Sequence, residues 1–180
     1  PFSGANNNPK AAPAANPMAL AAIEQADIIV IAPGDLYTSL GPLLVIDGFG
    51  DALARSKAKK FYVTNLVSKR GQTDGFTVSD HAAEIERFAS KPFLDYVLYN
   101  NADAVSDLTS RYQAEDSYLV GVDAENLASR HYEAVGGNFL GQAAKENAAD
   151  TLIGKRSLIR HDGAAVAQRI IDLYNESRTK

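Results

Sequence analysis

The chain has 180 residues, 46% hydrophobic and 22% charged, which is the make-up of one ordinary globular domain rather than a disordered chain. Acidic residues outnumber basic ones by 22 to 18, and the resulting net charge of −4 argues against nucleic acid as a partner, because phosphate backbones select basic surfaces. Cysteine is absent, which excludes disulfides, thiolate metal sites and a cysteine nucleophile; no apolar run is long enough for a membrane span and no secretion pattern is present, so a cytoplasmic location is expected.

Residues 1–16, PFSGANNNPKAAPAAN, contain three prolines, four asparagines and one large apolar side chain. Such a stretch cannot bury enough surface to order itself, so it reads as a tail or connecting loop, with residues 17–180 as a single α/β domain. Asn16 as N-cap and Pro17 at the first helical position open a helix to about Gln25. DIIVIA (27–32) is β-branched and continuously apolar, as suits a strand covered on both faces, and stops at Pro33-Gly34. A helix over 47–56 and a strand KKFYVTN (59–65) follow. Thr77 and Asp80 form a capping box for a helix to about Phe88, with Ala82, Ile85 and Ala89 on one face. DYVLYN (95–100) is the third strand, a helix spans about 104–112, and SYLVGVD (117–123) reads as the fourth strand. Residues 124–150 are alanine-rich and weakly patterned, and read as helix or insertion; 151–160 carry one or two short strands. A closing helix over 162–175 puts Val166, Ile170, Leu173 and Tyr174 on one stripe.

Strand-then-helix repetition predicts a three-layer α/β fold, a mostly parallel sheet with helices on both faces. In such folds ligands bind beyond the carboxyl ends of the strands, at a topological switch point. That directs attention to 33–39, 65–74, Asn100, Asn101 and Asp123.

Three segments carry candidate chemistry. In IVIAPGDLYTS (29–39), Gly34 permits an unusual backbone or a close ligand approach, Asp35 and Tyr37 add a carboxylate and a phenol, and Thr38 or Ser39 can cap the next helix. An ordinary strand-to-helix turn explains the same residues equally well. In the loop after the second strand, Asn65 can hydrogen-bond a base or sugar edge in both directions and Asp74 can hold a sugar hydroxyl; Lys69 and Arg70 beside Gly71 can form an anion clamp but read rather as solvated charges. In LIRHDG (158–163), Arg160 can bind a phosphate with a guanidinium fork or form a local salt bridge. Tyr112 can stack on a base or lie on the surface. His81, His131 and His161 lack metal-ligand spacing, no Gly-x-Ser-x-Gly elbow exists, and the pairing of Asp35 with His161 has no nucleophile beside it. The residues themselves therefore point to a nucleotide- or phosphate-ligand-binding α/β protein.

The segment ADIIVIAPGDLYTSLGPLLVIDGFGDAL, then AKKFYVTNLVSKRGQTDGFTVSDH, and finally LIRHDG resemble the family that contains the gluconeogenesis factor YvcK and the 2-phospho-L-lactate transferase CofD. The resemblance runs from about Asn16 to the end and is weakest over 124–150; TDGFTVSDH is similar to the YvcK branch. It implies a Rossmann-like fold and a cytoplasmic, UDP-sugar-binding regulator of carbon metabolism and cell-envelope precursor supply, linked to cell shape and with no settled enzymatic activity. The transferase branch implies instead a nucleotide-dependent phospholactate transfer to a deazaflavin, with magnesium as cofactor; the regulatory branch implies none. Carried over by motif, Gly34, Asp35, Tyr37 and Thr38 line the ligand cleft, Asn65 and Asn101 sit beside them, and Tyr112 and Arg160 match nucleotide-sugar contacts. Position 35 is often serine in the family.

One departure stands out. Family members begin with a strand and a glycine-rich loop, and nothing in this sequence corresponds to them. The expectation is a C-terminal part whose sheet edge is exposed unless a second copy, in a homo-oligomer, or an N-terminal half covers it. A third reading, a structural or interaction element without ligand, stays open on that ground.

Overall fold

A computed structural model describes residues 13–102, 117–141 and 159–179. Its elements run α1 (Pro17–Gln25), β1 (Ile28–Ile31), a π-helical turn (Leu36–Leu40) continuing into α2 (Gly41–Leu44), α3 (Phe49–Arg55), β2 (Lys59–Val63), α4 (Val78–Ala89), β3 (Tyr96–Asn100), α5 (Ala124–Ala128), β4 (Glu133–Gly137) and α6 (Gly163–Arg178). The four strands form one parallel sheet in the order β1-β2-β3-β4. The α/β fold with a parallel sheet and helices on both faces is as predicted.

The helices begin where side chains can satisfy their first amides. Asn16 Oδ1 accepts from Met18 N at 2.9 Å with Pro17 at N1. At α4, Asp80 Oδ2 accepts from Thr77 N at 2.9 Å while Thr77 Oγ1 accepts from Asp80 N at 3.3 Å. Asp162 Oδ1 accepts from both Ala164 N and Ala165 N at 3.0 Å to start α6. These local satisfactions explain why the helix starts are readable from a few adjacent residues.

The sheet separates two cores. Tyr62 and Val97 point to one side, where they meet Ile23, Leu53, Ala82, Ile85 and Leu127 of the helices. Phe61, Val63 and Leu98 point to the other, against Ile170 and Leu173 of α6. Sequential parallel order with same-handed crossovers requires the connecting helices to share one face; the chain crosses to the opposite face after β4. Among the described strands the order never reverses, so the predicted switch point is not formed by them. α3 and α4 pack so closely that a Cβ on Gly50 would lie 1.9 Å from Ala89 O.

Several expectations are corrected. β1 is not covered on both faces: it is an edge strand of the described sheet, and Val30 is 45% exposed. Residues 117–123 are not the fourth strand. They form a strap that makes single bridges from Leu119 to Val67 and from Gly121 to Thr77, because its Tyr118 and Val122 stay half-exposed rather than entering the sheet. The fourth strand is Glu133–Gly137, inside the segment read as helix or insertion; only its glycines fit there, since a Cβ on Gly137 would stand 2.6 Å from the Phe139 ring. Helical structure also begins at Leu36, so Thr38 and Ser39 lie inside it and Asp35 occupies the N-cap. The helix read over 47–56 starts only at Phe49, after Gly48 at φ 83°. The predicted helix at 104–112, the strands over 151–158 and most of the 1–16 segment lie outside the described residues.

Candidate functional site

A cleft of about 160 Å³ opens at the carboxyl ends of β2 and β3. Thr64, Asn65 and Leu66 line it after β2, with Asn100 at the end of β3 and Asn101 and Ala102 after it. Leu119, Val120 and Val122 of the strap form an apolar roof, with Val78 of α4 beside them. The strap is pinned on two sides. Val120 N donates to Leu66 O at 3.0 Å and Ser68 N to Tyr118 O at 2.7 Å, while Val78 N donates to Gly121 O at 3.0 Å. Asp123, placed by sequence at a strand end, instead accepts from the backbone and hydroxyl of Ser79 and from Asn126 Nδ2. Burial pulls the Asp123 carboxyl upward, but these hydrogen bonds outweigh it and leave the group below the usual carboxylate range.

The two asparagines at the carboxyl end of β3 divide their work. Asn100 accepts from Phe139 N at 3.1 Å and donates to Ala102 O at 2.7 Å, so its amide ties the exits of β3 and β4 together. Asn101 is exposed, and its Nδ2 lies over Gly136, where an added Cβ would approach it to 2.8 Å. A carboxamide at this position offers both donors and an acceptor to a ligand.

At the end of β1 the Asn65 side chain is committed to the protein. Its Oδ1 accepts from Gly34 N at 3.2 Å and its Nδ2 donates to Gly34 O at 3.0 Å, which fixes the Pro33-Gly34 turn against the end of β2. Gly34 itself has no positive φ, and a Cβ there would meet only Leu40 at 3.5 Å, an ordinary contact. The unusual backbone anticipated at Gly34 is thus absent, and space for close approach remains the property that distinguishes it. Asp35 forms an ion pair with Lys69 and accepts from Thr38 Oγ1 at 3.3 Å. Lys69, read as a solvated charge, is therefore a specific partner that joins the two motifs.

Tyr37 points elsewhere. Its ring packs edge-on to Phe88 with centroids 5.6 Å apart. Phe88 is ten residues along α4 from the cleft-lining Val78, roughly 15 Å at the helical rise. Burial, then the neighbouring Glu84 carboxylate, raises the phenol above its usual range. Arg160 is exposed, and its carbonyl accepts from Gly141 N at 2.8 Å. Tyr112 lies outside the described residues. The structure thus brings Gly34, Asp35, Thr38, Asn65 and Asn101 to one end of the sheet, with Arg160 next to His161, whose imidazole bonds to Thr64 O, and holds Tyr37 apart.

His161, weighed from the sequence only as a metal ligand or a partner for Asp35, is tied to the main chain just beyond β2. Its Nε2 donates to Thr64 O at 3.1 Å, and burial lowers its pKa, so the imidazole is neutral near pH 7 and its Nδ1 carries the lone pair. Among the described residues no three histidine or acidic side chains converge where they could hold a metal ion. No helix among them is long and apolar enough to cross a membrane.

Comparison with known proteins identifies the family and bears out the fold. The model of the family described as 2-phospho-L-lactate transferase CofD matches residues 5–140. A relative from Thermotoga maritima is 39% identical over 154 residues, covering 86% of this chain and 46% of its own length. The gluconeogenesis factor of Bacillus subtilis is 30% identical over 161 residues, covering 89% of this chain and 47% of its own. The chain thus spans about half the length of the curated relatives it matches. A crystal structure of a UPF0052-family protein from Bacillus halodurans superposes with a TM-score of 0.76 at 28% identity, over 88% of this chain and 47% of that one. With well over half of its residues matched by the family model, the chain belongs to the CofD family and is similar to the members named gluconeogenesis factor.

Proposed function

We propose that the chain contributes part of a binding site for a nucleotide-sugar, of the UDP-N-acetylglucosamine type, in a regulatory protein of carbon metabolism and cell-envelope supply. The observation that carries the reading is the cleft at the carboxyl ends of β2 and β3, roofed by apolar strap residues and edged by the exposed Asn101 carboxamide. This is where parallel α/β sheets bind ligands, and an apolar wall with few polar groups suits a heterocycle. Gly34, with room for close approach, and the cation Lys69 lie along the same edge, where a diphosphate attached to that heterocycle would run. On this reading the relatives' additional length supplies the remaining contacts, and the exposed edge at β1 is where it would join.

The name of the family model favours one other reading, a phospholactate transfer to a deazaflavin. Calorimetric titration with UDP-N-acetylglucosamine, and separately with GDP plus deazaflavin, of this chain and of a form extended to the relatives' length separates the two. Saturable binding of the UDP-sugar by the extended form supports the proposal; binding of GDP with deazaflavin alone would replace it with the transferase.

A further inference from the structure

The ion pair between Asp35 and Lys69 places a carboxylate where an anionic ligand would be received. Asp35 stands one residue beyond Gly34, at the N-cap of the helical segment that starts at Leu36, and its Oδ2 holds both Lys69 Nζ and Thr38 Oγ1. The two charged side chains are 39% and 49% exposed, so the pair is reached by solvent and solutes. Lys69 sits on a compact loop: its backbone N–H donates to Thr73 Oγ1 at 2.8 Å, its carbonyl accepts from Gln72 N and Thr73 N, and Gly71 N donates to Asp74 Oδ2 at 2.7 Å. These bonds hold the loop without help from Asp35. The Lys69 ammonium can therefore exchange partners while its backbone stays in place.

We propose that Lys69 is a phosphate-binding cation of this site and that Asp35 is its resident counter-ion, which an incoming diphosphate displaces. The proposal rests on the nucleotide-sugar reading for the identity of the ligand, but not for its charge. A carboxylate at position 35 both neutralises Lys69 and repels the ligand's phosphates, so Asp35 lowers affinity and makes release easier. An ammonium on a flexible stem suits such an exchange, because it is a point charge with three rotatable donors and no fixed fork to realign.

The test is calorimetric titration of the extended protein and its D35N, K69Q and D35N/K69Q variants with UDP-N-acetylglucosamine and, separately, with inorganic pyrophosphate. Both side chains are exposed, and an exposed pair contributes little to folding, so matching melting temperatures confirm intact folds. D35N should tighten both ligands about three- to tenfold, K69Q should weaken both about tenfold or more, and the double variant, freed of the uncompensated carboxylate, should fall between K69Q and the wild type. If UDP-N-acetylglucosamine binds with an affinity that neither substitution changes, the displacement is wrong and the nucleotide-sugar reading stands. If only pyrophosphate binds and follows the predicted order, the reverse holds. Weaker binding in D35N would overturn the proposal by making Asp35 a ligand contact, and no binding of either probe would overturn both.

Discussion

The carboxamide of Asn65 forms a reciprocal pair of hydrogen bonds with the backbone of Gly34, 31 residues earlier, accepting from its N–H at 3.2 Å and donating to its carbonyl at 3.0 Å. In geometry the side chain acts as an extra peptide unit that joins the two chains three residues past Ile31 and Tyr62, the last paired residues of β1 and β2. The turn that presents Asp35 to Lys69 is thereby held by a side chain rather than by its own loop. Asn65 is thus a positioning residue, with one N–H and one lone pair left for anything in the cleft.

Replacing Asn65 by alanine leaves both Gly34 polar groups without their partner. Stability to urea should fall by about 1–3 kcal/mol, the range for unsatisfied, partly buried hydrogen-bonding groups. Asn65→Asp should recover part of it, since a carboxylate still accepts from Gly34 N but cannot donate to Gly34 O. Equal stabilities for wild type and N65A would show that the turn holds itself.

Gly34→Ala separates folding from binding. The position has an ordinary φ and room for a methyl group, so the variant should melt at or slightly above the wild-type temperature, with a gain of up to about 1 kcal/mol from the less flexible unfolded chain. UDP-N-acetylglucosamine affinity of the extended protein should nevertheless drop at least several-fold. Undiminished affinity would remove Gly34 from the ligand's path.

Two other glycines should respond in contrasting ways. A Cβ at Gly136 meets the ends of two side chains, Asn101 Nδ2 at 2.8 Å and Tyr99 Oη at 3.1 Å, which can move aside. Gly136→Ala should therefore cost less than about 1.5 kcal/mol while displacing the Asn101 carboxamide and weakening ligand binding. Gly50→Ala, with its Cβ 1.9 Å from a backbone carbonyl of α4, must push two helices apart and should cost about 3 kcal/mol or more. Chemical denaturation of the pair, alongside titration of Gly136→Ala, checks both.

Stability should fall on mild acidification. Burial holds His81 below the usual imidazole range, only partly offset by the Thr77 carbonyl and Asp80, and burial does the same for His161 against Thr64 O. An unfolded chain takes up these protons near pH 6.5, whereas the folded chain does not until lower pH. The unfolded state therefore binds more protons in that window, so the contribution is complete above about pH 6.5 and is lost progressively as pH falls below it. The lowered carboxyls of Glu84 and Asp123 add a second loss below about pH 4. Melting temperature measured from pH 7.5 to 5 should decline, and His161→Gln should flatten part of that decline. A constant melting temperature over this range would contradict the assignment.

What the sequence determined by itself is local. Asn16-Pro17, the Thr77–Asp80 box and Asp162 announced three helix starts, because a capping side chain bonds amides two or three residues away. The apolar runs of β1, β2 and β3 were equally legible, as were the strand ends as the place to look for a site. Tertiary structure alone decided the rest. SYLVGVD has the pattern of a strand, yet its apolar side chains roof a cleft; Glu133–Gly137 has little strand pattern, yet its glycines are what β3 and Phe139 leave room for. The partners within the site are far apart in sequence, 34 residues for Asp35 and Lys69 and 97 for Thr64 and His161. A carboxamide or an ammonium carries no local mark of whether it will meet a ligand, a carboxylate or a distant peptide. Those outcomes follow from which loops the parallel order of the strands brings to one end of the sheet.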